Sequence, residues 1–158
     1  MKSQLLNLWL LILLLSSTNA SAADTLKIIK AWIPEAPPAA SVMAGYMEIQ
    51  NNGHKNIDII SISSDAFASI EMHRSVESDG FAKMQPQKKL SIPANENLIL
   101  QSGSYHLMLI KPVKWLKHGD KVTLNFKLSN NTTQSLEIFV KKNKTRAMKC
   151  AAGKCGAQ

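Results

Sequence analysis

Cysteine is nearly absent from this chain, because its only two cysteines are Cys150 and Cys155, close to the C-terminus. A blue-copper electron-transfer site needs a cysteine thiolate beside two histidines, so residues 1–149 cannot build one. Acidic residues are also scarce: 11 Asp and Glu accompany 19 Lys and Arg, which gives a formal net charge of +8. The acids form no evident acid–base pair, and the chain has neither a G-x-S-x-G motif nor a Gly-rich phosphate loop. The sequence therefore gives no support to an enzyme.

Long apolar runs are absent apart from residues 5–15, which are interrupted only by Asn7. The run is too short to span a membrane. Because Lys2 precedes it and small residues follow it, it is typical of a secretory signal peptide. No second candidate span occurs, so we expect an exported, periplasmic protein without stable membrane insertion.

The end of this leader is marked by small residues. The triplet Ala20-Ser21-Ala22 satisfies the small-x-small rule for cleavage, which predicts a signal peptide over residues 1–22. Cleavage after Ala20 or Ala23 is the alternative. No cysteine lies near this junction, which argues against a lipid anchor.

Acids are missing altogether from residues 141–158, which contain six of the basic residues. We expect this segment to be a flexible, solvated tail. A basic tail also suits an acidic partner or an anionic membrane surface. Export excludes nucleic acid as a partner.

Helical periodicity is missing as well, and what is present is a series of short β-rich runs separated by Gly, Pro, Asn and Ser. The pattern predicts an all-β sandwich or barrel of about nine strands in a single domain over residues 23–140. The predicted strands are 26–33, 44–50, 57–63, 69–76, 82–86, 97–101, 105–110, 121–128 and 134–140.

Two histidines and two methionines recur at fixed intervals. Ten residues separate His73 from Met84, twenty-one separate Met84 from His106, and Met108 follows two positions later. Neutral thioethers bind hard cations such as Mg²⁺ and Ca²⁺ poorly, and zinc prefers thiolate, imidazole or carboxylate. Thioethers combined with imidazoles favour Cu(I). Taken singly, each of the four residues is also compatible with a purely structural role.

The predicted strands bring these four residues towards one another. Residues two apart on a strand share a face, so His106 and Met108 point the same way while Leu107 and Leu109 point into the core, as does Tyr105. His73 lies on the strand before the Asp79-Gly80 turn and Met84 on the strand after it. We expect all four to converge on one ion, with Met72 and Met47 as reserve sulfurs.

At these positions the chain resembles the PCu(A)C family of periplasmic copper chaperones, whose motif is H(M)x10Mx21HxM. The resemblance covers about residues 28–140. Its further landmarks are Lys30-Ala31-Trp32, Pro37-Pro38, Gly45-Tyr46-Met47, Gln50-Asn51-Asn52-Gly53, Met84-Gln85-Pro86, Ile92-Pro93-Ala94 and the run from Gly103 to Leu109.

The resemblance implies a cupredoxin-like Greek-key β-barrel that binds Cu(I) through His73, Met84, His106 and Met108. It also implies delivery to the CuA subunit of a haem-copper oxidase, either directly or with a thiol-bearing assembly protein. We expect a monomer. Where the family often has Met directly after the first His, this chain has Arg74; Met72 precedes His73 and should face the core instead.

The two cysteines, spaced C-x4-C, have two readings. In an oxidising compartment they would close a local disulfide loop. Thiolates are also strong Cu(I) ligands, so Cys150, Cys155 and Met148 form a possible second copper site or relay. A dithiol redox enzyme is disfavoured because its usual motif is C-x-x-C.

A second function class stays open from the sequence alone. The domain would then be a secreted β-sandwich that binds a protein or glycan surface, and its His and Met residues would be merely structural. The two classes differ in whether His73, Met84, His106 and Met108 meet at the surface or scatter through the core.

Overall fold

The structure is a computed structural model that describes residues 26–78 and 80–142. The predicted signal peptide and almost all of the predicted tail, including Met148, Cys150 and Cys155, lie outside these residues. The described part of the chain contains no helix long and apolar enough to cross a membrane.

Ten strands make up the described fold, which confirms the all-β prediction. Each of the nine predicted strands is present, and the one that the sequence pattern missed is β6. The strands are β1 (Lys27–Pro34), β2 (Val42–Gln50), β3 (Ile57–Ser63), β4 (Phe67–Ser78), β5 (Phe81–Gln87), β6 (Leu90–Ile92), β7 (Asn97–Leu100), β8 (Tyr105–Pro112), β9 (Lys121–Leu128) and β10 (Thr133–Lys141).

The strands form one sheet in the order β5-β4-β8-β7-β2-β1-β10-β9-β3-β6, and β8 also pairs directly with β2. Most neighbours are antiparallel, but β1 runs parallel to β10. Near the two ends of this order, β3 also contacts β4. The sheet therefore curls around a single core as a barrel or sandwich.

The core is built by the alternation that the sequence shows. On β9, Val122, Leu124, Phe126 and Leu128 are all buried, while their neighbours face outward. The same period places Leu107 and Leu109 of β8 in the core. Tyr105, which was predicted to point the same way, is half-buried and packs against this core. Because side chains alternate strictly, the residues between them must lie on the outer face.

The close pairing of β2 with β8 depends on a buried glycine. Gly45 of β2 lies opposite Leu107 of β8. A Cβ atom built on Gly45 would lie 3.3 Å from the Leu107 Cβ, which is tighter than ordinary van der Waals contact. Glycine thus allows β2 and β8 to pair without spreading.

The turn after β2 is fixed by a buried amide, that of Asn51. Asn51 Nδ2 donates to the carbonyl oxygens of Lys55, Ile92 and Pro93 at 2.8 to 3.1 Å. Its Oδ1 accepts from the Gly53 backbone N–H. One side chain therefore joins the turn after β2 to the end of β6.

At the opposite end of β2, three connections meet. The Lys141 carbonyl accepts from the Glu35 backbone N–H at 2.8 Å. Trp115 Nε1 donates to the neighbouring Ala36 carbonyl at 3.3 Å. The loop after β1, the loop after β8 and the end of β10 thus form one end of the barrel.

Candidate metal centre

Two histidines face each other on neighbouring strands. His73 of β4 is the direct cross-strand partner of His106 of β8. Their ring centroids are 6.0 Å apart, and their planes are inclined by 40°. Both residues are buried, with 9% of His73 and 6% of His106 exposed. Paired, buried imidazoles at this distance can approach a common ion.

The hydrogen bond of His106 leaves one ring nitrogen free. Its Nδ1 lies 3.0 Å from the backbone carbonyl of Ser104. A carbonyl can only accept, so Nδ1 carries the hydrogen and the neutral ring has its lone pair at Nε2. That Nε2 is buried and has no hydrogen-bond partner among the described residues.

His73 is arranged in the reverse sense. Its Nε2 donates to the Glu71 carboxylate at 2.8 Å, which leaves the lone pair at Nδ1. Nδ1 is likewise buried and unpartnered within the described part of the chain. Leaving a buried polar atom unsatisfied costs about 1–3 kcal/mol. Two such atoms on facing rings are most simply explained by a ligand that binds both.

The two methionines lie on the same outer face. Met108 is opposite Glu71 of β4, and Met84 of β5 is opposite Ser75. Because His73 and Ser75 are two apart, register places Met84 on the His73 face. The sheet thus carries all four predicted ligands on one side.

An open cleft of about 240 Å³ lies at this place. Its apolar character comes from side chains of β2, β5 and β8. Met84 is 62% exposed at its rim, whereas Met108 is half-buried. The residues lining it are Val42, Met43, Ala44, Tyr46, Ser75, Met84, Ser102, Gly103, His106 and Met108.

The reserve sulfurs lie elsewhere. Met72 and Met47 are both buried in the core cluster, so Met72 faces away from His73 as its strand position predicted. Met43, which the sequence did not single out, is buried but borders the cleft. No spacing signal distinguishes it from a core residue.

The partners of the histidines also escaped the sequence reading. Glu71 lies two residues before His73 on β4 and therefore on the same face. That spacing could have predicted a hydrogen bond between the two side chains. Ser104 contributes only a backbone carbonyl, so no side-chain pattern could reveal it.

A second hollow, of about 630 Å³, adjoins the cleft and shares Tyr46 with it. The Tyr46 ring lies 5.3 Å from that of Trp32. Beside them the Lys30 ammonium hydrogen-bonds to Glu48 at 2.8 Å, and this bond lowers the pKa of the Glu48 carboxyl. Glu48 therefore stays ionised beside the hollow.

Oxygen- and thiolate-rich metal clusters are not found in the described residues: no group of three or more His, Cys, Asp and Glu is placed to hold an ion. The candidate centre consists of two imidazoles and two thioethers. This donor set suits a soft ion such as Cu(I).

The chain matches the model of the family described as putative lipoprotein LpqE-like over residues 26–140. It is 28% identical over 127 residues to a putative lipoprotein of Leifsonia xyli, covering 80% of this chain and 75% of that protein. It is 31% identical over 98 residues to an uncharacterized protein of Rickettsia prowazekii, covering 61% of this chain and 54% of that protein.

Solved structures show the same fold. The Cu(I)-bound form of DR1885 from Deinococcus radiodurans is 26% identical, with a TM-score of 0.62, and the match covers 82% of this chain and 85% of that one. The apo PCuAC domain of PmoF1 is 15% identical, with a TM-score of 0.64, and the match covers 75% and 94%. The family match, together with these folds, confirms the resemblance proposed from the sequence: the chain belongs to the LpqE-like family, which is related to the PCu(A)C copper chaperones.

Proposed function

We propose that this protein is a copper chaperone of the cell envelope that carries Cu(I) as cargo between His73, Met84, His106 and Met108. One observation carries the proposal: the buried His73 Nδ1 and His106 Nε2 have no partner among the described residues. His106 lines the cleft together with both methionines, whereas His73 is not among the lining residues and adjoins it as the cross-strand partner of His106. The Cu(I)-bound form of DR1885, which is 26% identical to this chain, supports the choice of metal.

The burial of the donors suits transport. The histidines are held by Glu71 and Ser104, so their free nitrogens need little reorganisation on binding. Met84 stands at the exposed rim, where an incoming thiol or thioether can displace it first. Ligand exchange can then proceed without exposing the core.

The acceptor that fits this chemistry has soft ligands of its own. We propose the CuA subunit of a haem-copper oxidase, or a thiol-bearing assembly protein that precedes it. Delivery to either requires export of the chain to the periplasm, as its first 22 residues predict.

The test is an anaerobic Cu(I) titration against a coloured chelator. It uses residues 23–158 with Cys150→Ser, Cys155→Ser and Met148→Leu, so that soft ligands of the tail do not contribute. We expect one tight equivalent, which His106→Ala/Met108→Ala abolishes.

The matched control is His54→Ala/His118→Ala, since both residues are exposed in loops. The control should bind like the parent. If the parent fails to compete for Cu(I), the chaperone function is wrong, and the surface-binding β-sandwich becomes the better description.

A further inference from the structure

Two large apolar side chains project into solvent at one end of the barrel. Val113 is 74% exposed and Trp115 is 51% exposed, both in the loop after β8. Lysines surround them in sequence and in space. We call this surface the basic end, and it consists of Lys111, Val113, Lys114, Trp115, Lys117, Lys141 and Lys142.

Hydrogen bonds show that these residues share one surface. The indole of Trp115 donates to Ala36, and the backbone of the preceding residue, Glu35, donates to Lys141. The loop after β8 is therefore held against the strand end from which the C-terminal segment continues.

The lysines of the basic end are not neutralised by neighbours. The ion pairs of the described residues that involve a lysine use Lys30, Lys89 and Lys121 only. The acids at this end are Glu35, Asp65 and Asp120. The Asp120 carboxylate accepts a hydrogen bond from the Lys117 backbone N–H at 2.9 Å, which leaves its negative charge in place, so five lysines stand against three carboxylates. Positive charge therefore remains in excess.

The basic end borders the candidate metal centre. The Lys111 backbone N–H donates to the Ser41 carbonyl at 2.7 Å, and the next residue, Val42, lines the cleft. A partner bound at the basic end would therefore lie close to the cleft.

We propose that the basic end docks on an anionic lipid bilayer, with Trp115 and Val113 in the interfacial layer and the lysines at the lipid phosphates. Tryptophan and lysine are the side chains that favour the boundary between water and lipid. A stable protein partner would need about 800 Å² of matched surface with an apolar centre, and two separate apolar side chains do not supply that. A bilayer needs only a few anchors and several basic groups, each worth about fivefold in binding. The proposal does not depend on copper.

The test measures co-sedimentation of residues 23–158 with lipid vesicles. One set is pure phosphatidylcholine, and the other is phosphatidylcholine and phosphatidylglycerol in equal parts. We expect binding at least about tenfold stronger to the anionic vesicles, weakened by salt. Lys114→Gln/Lys117→Gln should reduce it by about tenfold or more.

The matched control is Lys27→Gln/Lys55→Gln, which removes the same charge at the opposite end of the barrel. It should keep most of the binding. Equal loss in both double variants would show that net charge alone is responsible and would overturn the proposal, as would unchanged binding of the Lys114/Lys117 variant.

A fluorescence experiment separates lipid from an acidic protein partner. Residues 23–158 contain Trp32 and Trp115 alone, so Trp32→Phe leaves Trp115 as the only indole. Its emission should shift to the blue on anionic vesicles and be quenched by brominated lipid. Absence of both effects would contradict lipid insertion. If an acidic protein bound the basic end while vesicles did not, the protein and not the bilayer would be the partner.

Discussion

Each histidine of the centre has one ring nitrogen that is used and one that is free. The Ser104 carbonyl fixes the hydrogen of His106 at Nδ1, and Glu71 fixes that of His73 at Nε2. Copper would thus meet one Nδ1 and one Nε2 atom. The two residues would bind through different atoms because the Ser104 carbonyl occupies Nδ1 of His106, whereas the Glu71 carboxylate occupies Nε2 of His73.

Replacing Glu71 therefore tests a positioning residue. Glu71→Ala should weaken Cu(I) binding by about tenfold to a hundredfold, since removal of such an outer partner frees the ring and its tautomer. The measurement is the chelator competition in the absence of oxygen. Glu77→Ala, an exposed acid on the same strand, is the control, and equal affinities in both variants would contradict this role.

The sequence predicted which side chains share one face of the sheet, but not which of their atoms are left without a partner. Spacing and strand alternation place His106 and Met108 on one face, and the hairpin brings Met84 towards His73. Neither states which ring nitrogen of each histidine lacks a partner among the described residues, because that depends on the Ser104 carbonyl for His106 and on the Glu71 carboxylate for His73. Burial is equally invisible: Met84 and Met108 look alike in sequence, yet only one is strongly exposed.

A buried amide determines how one element is held to the next. Asn51→Ala would leave the carbonyl of Ile92 without its buried donor and release the turn after β2. We expect a loss of about 2–3 kcal/mol in the free energy of unfolding. Denaturant titration measures it. Asn52→Ala, next in the chain but exposed, should have little effect, and similar losses in both would exclude this explanation.

The edge strand β6 is joined to β3 by an ion pair whose strength depends on pH. The Lys89 ammonium donates to Asp58 at 2.7 Å. This hydrogen bond, and to a smaller extent one from Ser91, lowers the pKa of the Asp58 carboxyl. A lowered folded-state pKa stabilises the fold above the unfolded value of 3.8, and that contribution is lost as pH falls through the folded value.

Asp58→Asn should therefore lower stability near neutral pH by about 0.5 kcal/mol, as for an exposed pair, and make less difference at about pH 3. Thermal unfolding of both proteins at the two pH values measures the difference. An effect of the substitution that grows on acidification would have the wrong sign.

Elements were easier to predict than their connections. Nine strands follow from the alternation of apolar and polar residues and from the turn residues between them. The strand β6 has only three residues, between two lysines and Pro93, which is too few for a two-residue period to be recognised. The sequence also gave no sign that β1 would pair with β10, because such a pairing joins residues more than a hundred positions apart.

At the scale of the whole molecule, the cysteine pair extends the copper proposal beyond the barrel. Cys150 and Cys155, with Met148, are proposed as a second soft site or relay. The unaltered, reduced chain should then bind more than one Cu(I), and Cys150→Ser/Cys155→Ser should bind one. Spectroscopic titration under anaerobic conditions counts them. If both proteins bound the same number of Cu(I) ions and transferred copper at the same rate, the second-site proposal would be wrong, and the local disulfide would be the better description of the cysteines.

The parallel pairing of β1 with β10 also has a consequence for biogenesis. Trp32 lies opposite Phe139, so β1 can pair with β2 early, but its other edge finds a partner only when the last strand has arrived. Contacts between such distant segments form late and slowly. If the chain is exported as proposed, the barrel cannot close while residues 133–141 are still in transit, and the edge of β1 that pairs with β10 stays open until then. In the export route proposed above, copper would therefore load only after the whole chain has crossed the membrane.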